Sequence, residues 1–193
     1  MRDVRDRLQE SYRLDRRWHR LRGHMDTTKQ QTLETLVRLL DQAGIPYALI
    51  GGVAVQLHRD EPRTTLDIDV AVLDRLRIPR AALERAGFAM TGSFEHSENW
   101  RGQDGTPVQF TDDPNLADAV RDAETRPMGS GSLRVIGRLH LLRAKLRTAS
   151  DPARRKSKRL IDLADAQGLV EETPSLADEL TATQRRLLDS ALI

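Results

Sequence analysis

One stretch constrains this chain more than any other: Tyr47-Ala48-Leu49-Ile50-Gly51-Gly52-Val53-Ala54, followed after a short gap by Arg63-Thr64-Thr65-Leu66-Asp67-Ile68-Asp69-Val70-Ala71-Val72. Residues 45 to 50 are apolar, with a β-branched residue at each end, Tyr47 between them and Pro46 confined to the start, which predicts an interior strand. Gly51 and Gly52 then let the backbone turn sharply and approach a ligand closely. Residues 53 to 58 begin a helix whose free N–H groups and positive dipole end face that turn, an arrangement that suits phosphate. The alternative for a lone Gly-Gly pair is a plain strand-to-helix turn packed on a neighbour.

The second half of the stretch adds chemistry. Side chains alternate along a strand, so Asp67 and Asp69 share one face while Leu66, Ile68 and Val70 turn towards the core. At a separation of ~5 Å and an effective dielectric of ~20 the two carboxylates repel by about 3 kcal/mol, a large fraction of a domain's net stability. A cation between them relieves that repulsion. Hard oxygen ligands fit Mg²⁺ or Mn²⁺ better than zinc, and the chain has no cysteine. The competing reading is a solvated strand whose Asp residues pair with Arg63.

Gly51-Gly52 followed by Arg63-x-Thr65-x-Asp67-Ile68-Asp69 resembles the signature of the polymerase-β-type nucleotidyltransferase superfamily, and most resembles its AbiEii/AbiGii toxin-like, minimal nucleotidyltransferase branch. The match covers residues 45 to 73. The resemblance implies an α/β fold, a small mixed sheet flanked by helices with a C-terminal helical lobe. It also implies an NTP substrate whose triphosphate sits on Gly51 and Gly52, with Asp67 and Asp69 as catalytic metal ligands. Attack of an acceptor hydroxyl on the α-phosphate then expels pyrophosphate. Arg63 and Thr65 are assigned to phosphate or to bracing the metal strand.

In that superfamily a third carboxylate comes from a neighbouring strand. Here the candidate strand, residues 106 to 111, carries Gln109 at the expected position, and an amide is no general base and a weaker metal ligand. Asp112 and Asp113 are expected to cap the helix that follows Pro114. A second resemblance to the toxin-like branch lies in Leu139-His140-Leu141-Leu142-Arg143-Ala144-Lys145-Leu146 and Lys158-Arg159-Leu160-Ile161-Asp162-Leu163-Ala164-Asp165. By that analogy Lys145 neutralises the triphosphate and Asp162 supplies the missing carboxylate, as base or metal-side support. Read without the analogy, Lys145 is a surface lysine, and Asp162 with Asp165 forms a polar helix face.

The 193 residues suffice for a real core, organised as a charged helical arm over 1–25, a core over 26–136 and a helical lobe over 137–193. Without cysteine, disulfides and thiolate metal sites are excluded. With no apolar run of transmembrane length and a charged N-terminus, a soluble cytoplasmic protein is expected. The net charge is only +2, yet arginines crowd the first 22 residues, and Arg143, Lys145, Arg147, Arg154, Arg155, Lys156, Lys158 and Arg159 form a second basic cluster. The arm reads as a packing helix, a self-association helix or an RNA contact. The cluster beside a nucleotide site favours a polyanionic acceptor, RNA and in particular a tRNA 3′ end, over a small cationic antibiotic. The resemblance adds an antitoxin protein as a partner. Two alternatives stand beside this: a small-molecule, antibiotic-type nucleotidyltransferase, and a catalytically silent nucleotide- or RNA-binding module, which Gln109 favours.

Periodicity predicts helices over 29–43, 79–86, 115–124, 137–148, 157–167 and beyond Pro174, with strands near 46–50, 65–73, 88–92, 106–111 and 133–136. Asp26 or Thr27 is expected to cap the first of these helices, and Gly44 to end it. Residues 93 to 103 are ambiguous; Phe94 and Trp100 there fit either an acceptor pocket or core packing.

Overall fold

The structure, a computed structural model, describes residues 3–21, 28–61, 63–128 and 131–189. Its centre is a seven-stranded mixed sheet made of β1 (Tyr47–Ile50), β2 (Ile68–Val72), β3 (Ala89–Phe94), β4 (Ser97–Arg101), β5 (Pro107–Thr111), β6 (Glu124–Met128) and β7 (Gly131–Val135), in spatial order β3-β4-β5-β2-β1-β7-β6. β1 runs antiparallel to β2 and parallel to β7, and β2 runs parallel to β5.

Two strands exceed what periodicity gives. β4 alternates Glu98 and Trp100 inward, with Trp100 1% exposed and its indole N–H donating to Glu98 at 3.3 Å. The inward Glu98, satisfied by Arg80, breaks the apolar alternation that marks a half-buried strand. β6 contains Pro127, which is tolerated because the strand lies at the sheet edge. The helix expected over 115–124 is shorter, a 3-10 turn at Pro114–Leu116 followed by α5 (Ala117–Arg121), because the chain must turn into β6.

Seven other helices surround the sheet: α1 (Val4–Leu21), α2 (Gln30–Gln42), α3 (Gly51–His58), α4 (Arg80–Arg85), α6 (Arg138–Ser150), α7 (Lys156–Glu172) and α8 (Ala182–Asp189). α3 is the hub. Residues 52 to 58 are all buried, as an apolar helix without a polar face must be, and α3 touches β1, β2, α1, α6 and α7. Its two polar side chains find partners: Gln56 accepts from Ser11, and His58 Nε2 meets the Ile136 carbonyl at 2.6 Å, while His58 Nδ1 stays buried without one.

The first helix packs through Val4, Leu8 and Tyr12, all part of the one core cluster. The expected caps Asp26 and Thr27 lie outside the described residues; Thr28 Oγ1 accepts from the Gln30 N–H at 3.2 Å instead. At the other end of α2, Ile45 N–H reaches Leu40 O and Gly44 N–H reaches Asp41 O, a Schellman stop that requires the positive φ of Gly44. α6, α7 and α8 pack on one another, and α6 and α7 close onto α3. Among the described residues no helix is long and apolar enough to cross a membrane.

Candidate functional site

Pairing places Asp69 opposite Ile50, one residue before the glycine turn, and beside Gln109 of β5. Gly51 has φ +62°, the left-handed region that disfavours side chains, and a Cβ built on it falls 1.9 Å from Asp69 Oδ2. The carboxylate therefore occupies the space a side chain at 51 would need. A Cβ on Gly52 falls 2.3 Å from Thr65 Oγ1 and 2.6 Å from Arg63 Nη1. The Thr65 hydroxyl donates to Asp67 Oδ1. The two glycines, Arg63, Thr65, Asp67 and Asp69 thus meet at the start of α3.

Electrostatics at this point favours an added cation. Burial first and the charge of Asp67 second push the Asp69 carboxyl up to about 7, against the downward pull of Lys145, Lys158 and Arg154.

The residues carried by the C-terminal helices form one ion-pair chain behind the turn. Lys145 Nζ lies 2.8 Å from Asp162 Oδ1 and 2.8 Å from Asp165 Oδ2; Arg154 Nε lies 2.8 Å from Asp162 Oδ2, and Arg63 Nε 2.8 Å from Asp165 Oδ1. Asp162 and Asp165 are each 3% exposed. Both oxygens of Asp162 are thus engaged by cations, and Lys145 is a buried ammonium between two carboxylates rather than a free surface lysine. Asp165, three residues after Asp162 and so on the same helix face, joins α7 to the Arg63 segment, a tie that helix periodicity cannot orient.

Gln109 sits where the register puts a third acid, next to Asp69, with its side chain exposed. Among the described residues no three His, Asp or Glu side chains converge as a metal cage. The fit to a divalent ion therefore rests on Asp67 and Asp69, two hard oxygen donors, of which Asp69 is raised first by burial and then by the charge of Asp67. Arg63 Nη1, buried over Gly52 without a hydrogen-bond partner, adds an unmatched donor beside them.

A cleft of about 460 Å³ opens from Gln109, lined also by His96, Ser97, Thr111, Asp113 and Arg147. Its carboxylate is matched already, since Asp113 Oδ2 lies 2.6 Å from Arg147 Nη2; Asp112, outside the lining, lies 2.8 Å from Arg75 Nε. Burial works to raise Asp113, but the bonds from Arg147 and Asn115 outweigh it and hold this carboxyl below its usual value. The bond to Asn115 N–H is the expected helix cap. Trp100 lies in the core and Phe94 is 60% exposed, so neither lines the cleft.

Neither a family model nor a curated protein matches the sequence. Among solved structures, the chain is similar to ANT(2″)-Ia in complex with adenylyl-2″-tobramycin, with TM-score 0.57 and 16% identity over 86% of this chain and 100% of that one. It is also similar to an antigenic nucleotidyltransferase-like protein from Paracoccidioides brasiliensis, with TM-score 0.54 and 22% identity over 84% of each chain. A third is the lincosamide antibiotic adenylyltransferase LnuA bound to lincomycin, with TM-score 0.52 and 17% identity over 76% of this chain and 99% of that one. At these identities the likeness establishes the fold: a mixed sheet flanked by helices, of the nucleotidyltransferase type.

Proposed function

We propose that this chain is a metal-dependent nucleotidyltransferase that moves a nucleoside monophosphate from an NTP to an acceptor hydroxyl. One observation carries the reading: Asp69 fills the place of the side chain missing at Gly51, with Asp67 beside it and Arg63 and Thr65 over Gly52. Nothing in core packing calls for two neighbouring acids against a left-handed glycine turn. A phosphate-binding turn next to a hard-oxygen pair does.

In this assignment the Gly51-Gly52 turn and the first N–H groups of α3 receive the triphosphate, and Arg63 and Thr65 hold its oxygens or brace the strand. Asp67 and Asp69 hold Mg²⁺ or Mn²⁺, which when bound offsets phosphate charge and acidifies the attacking hydroxyl. The acceptor oxygen bonds to the α-phosphorus, the bond to the β-phosphate oxygen breaks, and pyrophosphate leaves. Gln109 cannot accept a proton, so the acceptor proton passes to water or to the departing phosphates. Asp162 and Asp165 act by fixing Lys145, whose charge lowers the Asp69 carboxyl and is held where phosphates arrive.

For the acceptor, two readings have specific support. Arg154, Arg155, Lys156 and Lys158 form an exposed basic run, and Arg154 and Lys158 act on Asp69 through space, which favours a polyanion such as RNA. The cleft argues the same way against a polycationic acceptor, because the acid that lines it, Asp113, is already paired with Arg147. The second reading, a small-molecule acceptor, rests on the fold likeness to ANT(2″)-Ia and LnuA and on a cleft large enough for such a ligand. A tRNA 3′ end and an antitoxin partner rest on the sequence resemblance alone.

The test is pyrophosphate release and transfer of label from each of the four NTPs, with Mg²⁺, to total RNA, to tobramycin and to lincomycin. Transfer to RNA that vanishes in Asp67→Asn and Asp69→Asn supports the first reading, and transfer to a drug the second. Absence of metal-dependent binding of any NTP defeats both.

A further inference from the structure

The loop that delivers Asp67 to the site has no sheet partners of its own, since residues 63 to 67 precede β2 and follow α3 without regular structure. Its backbone carbonyls must find donors elsewhere or remain unsatisfied. They find them in buried side chains reaching in from behind. Lys29 Nζ donates to Thr65 O at 2.9 Å, and Gln56 Nε2 donates to Arg63 O. The other two bonds of that ammonium go to α1, to Asp15 Oδ2 at 2.7 Å and Ser11 Oγ at 2.8 Å, and Ser11 in turn donates to Gln56 at 2.8 Å.

The side chains of Lys29 and Asp15 are each 1% exposed. A buried ion pair gives little net stability, and a well-packed apolar replacement of both partners is often neutral or better. Asp15 even leaves Oδ1 without a partner, a further cost. Stability alone therefore gives little reason for this pair, whereas the position of its third bond does. Thr65, held through its carbonyl by Lys29, is the residue whose hydroxyl donates to Asp67. Burial pulls the Lys29 ammonium below its ordinary value, while Asp15 and, more weakly, Asp67 favour its charge, which puts Lys29 within electrostatic reach of the site.

We propose that Lys29, seated on Asp15 and Ser11 of the N-terminal helix, is a positioning residue that fixes Thr65 and through it the orientation of Asp67. The N-terminal helix is then part of the active unit, and the strut Asp15–Lys29–Thr65 is its point of action. This inference rests on the assignment of Asp67 as a metal ligand.

The experiment uses the full chain and Mn²⁺ alone as probe, with affinity read from the loss of the free-ion electron paramagnetic resonance signal and the unfolding midpoint measured in parallel. The double variant Asp15→Leu/Lys29→Met removes both charges together. It is expected to keep a midpoint close to that of the parent while binding Mn²⁺ ~10-fold more weakly, the size of loss typical when an outer-shell support is removed. Unchanged affinity in a folded double variant overturns the proposal. If that variant does not fold, Asp15→Asn, which keeps the shape and loosens the seat of Lys29, decides the matter: a several-fold loss supports the strut, and parent-like affinity overturns it. A parent protein that binds no Mn²⁺ defeats the proposed function itself, which separates the two failures.

Discussion

Replacing Asp69 by Asn should stabilise the metal-free protein while removing its metal affinity, and the pH dependence of that gain is the sharpest test of the site. Burial and the neighbouring Asp67 raise the Asp69 carboxyl from 3.8 to about 7. A carboxyl with a higher value folded than unfolded binds its proton more tightly in the native state, so its contribution is most favourable below about 4 and is lost as pH rises to 7. Each tenfold change in proton affinity represents about 1.36 kcal/mol, so the full effect is about 4 kcal/mol, and about 2 to 4 after allowing for the part of Asp69 that water still reaches. For a chain of this length that is on the order of 10 °C in midpoint. Thermal unfolding in EDTA should show Asp69→Asn level with the parent below about pH 4, modestly above it at pH 5, where roughly a third of the effect has accrued, and far above it at pH 8. Mg²⁺ should raise the parent at pH 8 and leave the variant unmoved. Parallel pH profiles for the two proteins, or an equal response to Mg²⁺, refute the reasoning.

The other expectations are local. Gly51→Ala combines a positive φ with a Cβ 1.9 Å from Asp69 Oδ2, and should weaken Mn²⁺ binding by ~10-fold or more; Gly44→Ala, at φ +60° with open space around it, should cost only the about 1–2 kcal/mol of left-handed strain and leave Mn²⁺ affinity intact. Gln109→Asp restores a third acid beside Asp69: calorimetry should find tighter Mn²⁺ binding, while the metal-free protein loses up to about 3 kcal/mol to repulsion across ~5 Å. Burial holds His58 at about 4, below its unfolded value of 6.5, so protonation favours the unfolded chain. In an Asp69→Asn background, stability should fall by about 3 kcal/mol as pH drops from 6.5 to 4, and His58→Gln, whose amide can still donate to the Ile136 carbonyl, should flatten that limb of the denaturation profile.

Much of the site was legible because its determinants are local. The turn, the following helix and Asp69 lie within about two dozen residues, and the register that sets Gln109 beside Asp69 follows from two apolar strands; the strand expected over 65–73 is shorter, Ile68–Val72, so Asp67 sits in the irregular segment before it and not on the strand. What stayed hidden depends on how helices face one another. Asp162 and Asp165 read equally well as a polar surface; only the packing of α7 on α6 turns them onto Lys145, and only the tertiary placement of Arg63 brings it to Asp165. Asp15 carried a usable signal, since Leu8, Tyr12 and Asp15 fall on one helical stripe, and an acid there must be buried with a cation. Lys29 carried none: a lysine at a helix start is ordinary until α1 is seen to cover it.

On the proposed assignment, the charges at the site favour metal binding ahead of the nucleotide. Arg63, Lys145 and Arg154 are ion-paired with Asp162 and Asp165, while Asp67 and Asp69 stand near them outside those pairs; three cations against four carboxylates leave one net negative charge when all are ionised and Lys158 is left aside. A triphosphate approaching that cluster meets repulsion close to the turn, with the exposed Lys158 as partial relief. One divalent ion reverses the sign to +1, and the same triphosphate is then attracted. At ~5 Å and an effective dielectric of ~20 each unit of charge is worth about 3 kcal/mol, roughly two decades in affinity. NTP binding followed by calorimetry should therefore be weak in EDTA and at least ~100-fold tighter with Mg²⁺, with the same gain lost in Asp67→Asn. Equal affinity with and without the ion would mean that the triphosphate lies elsewhere on the molecule.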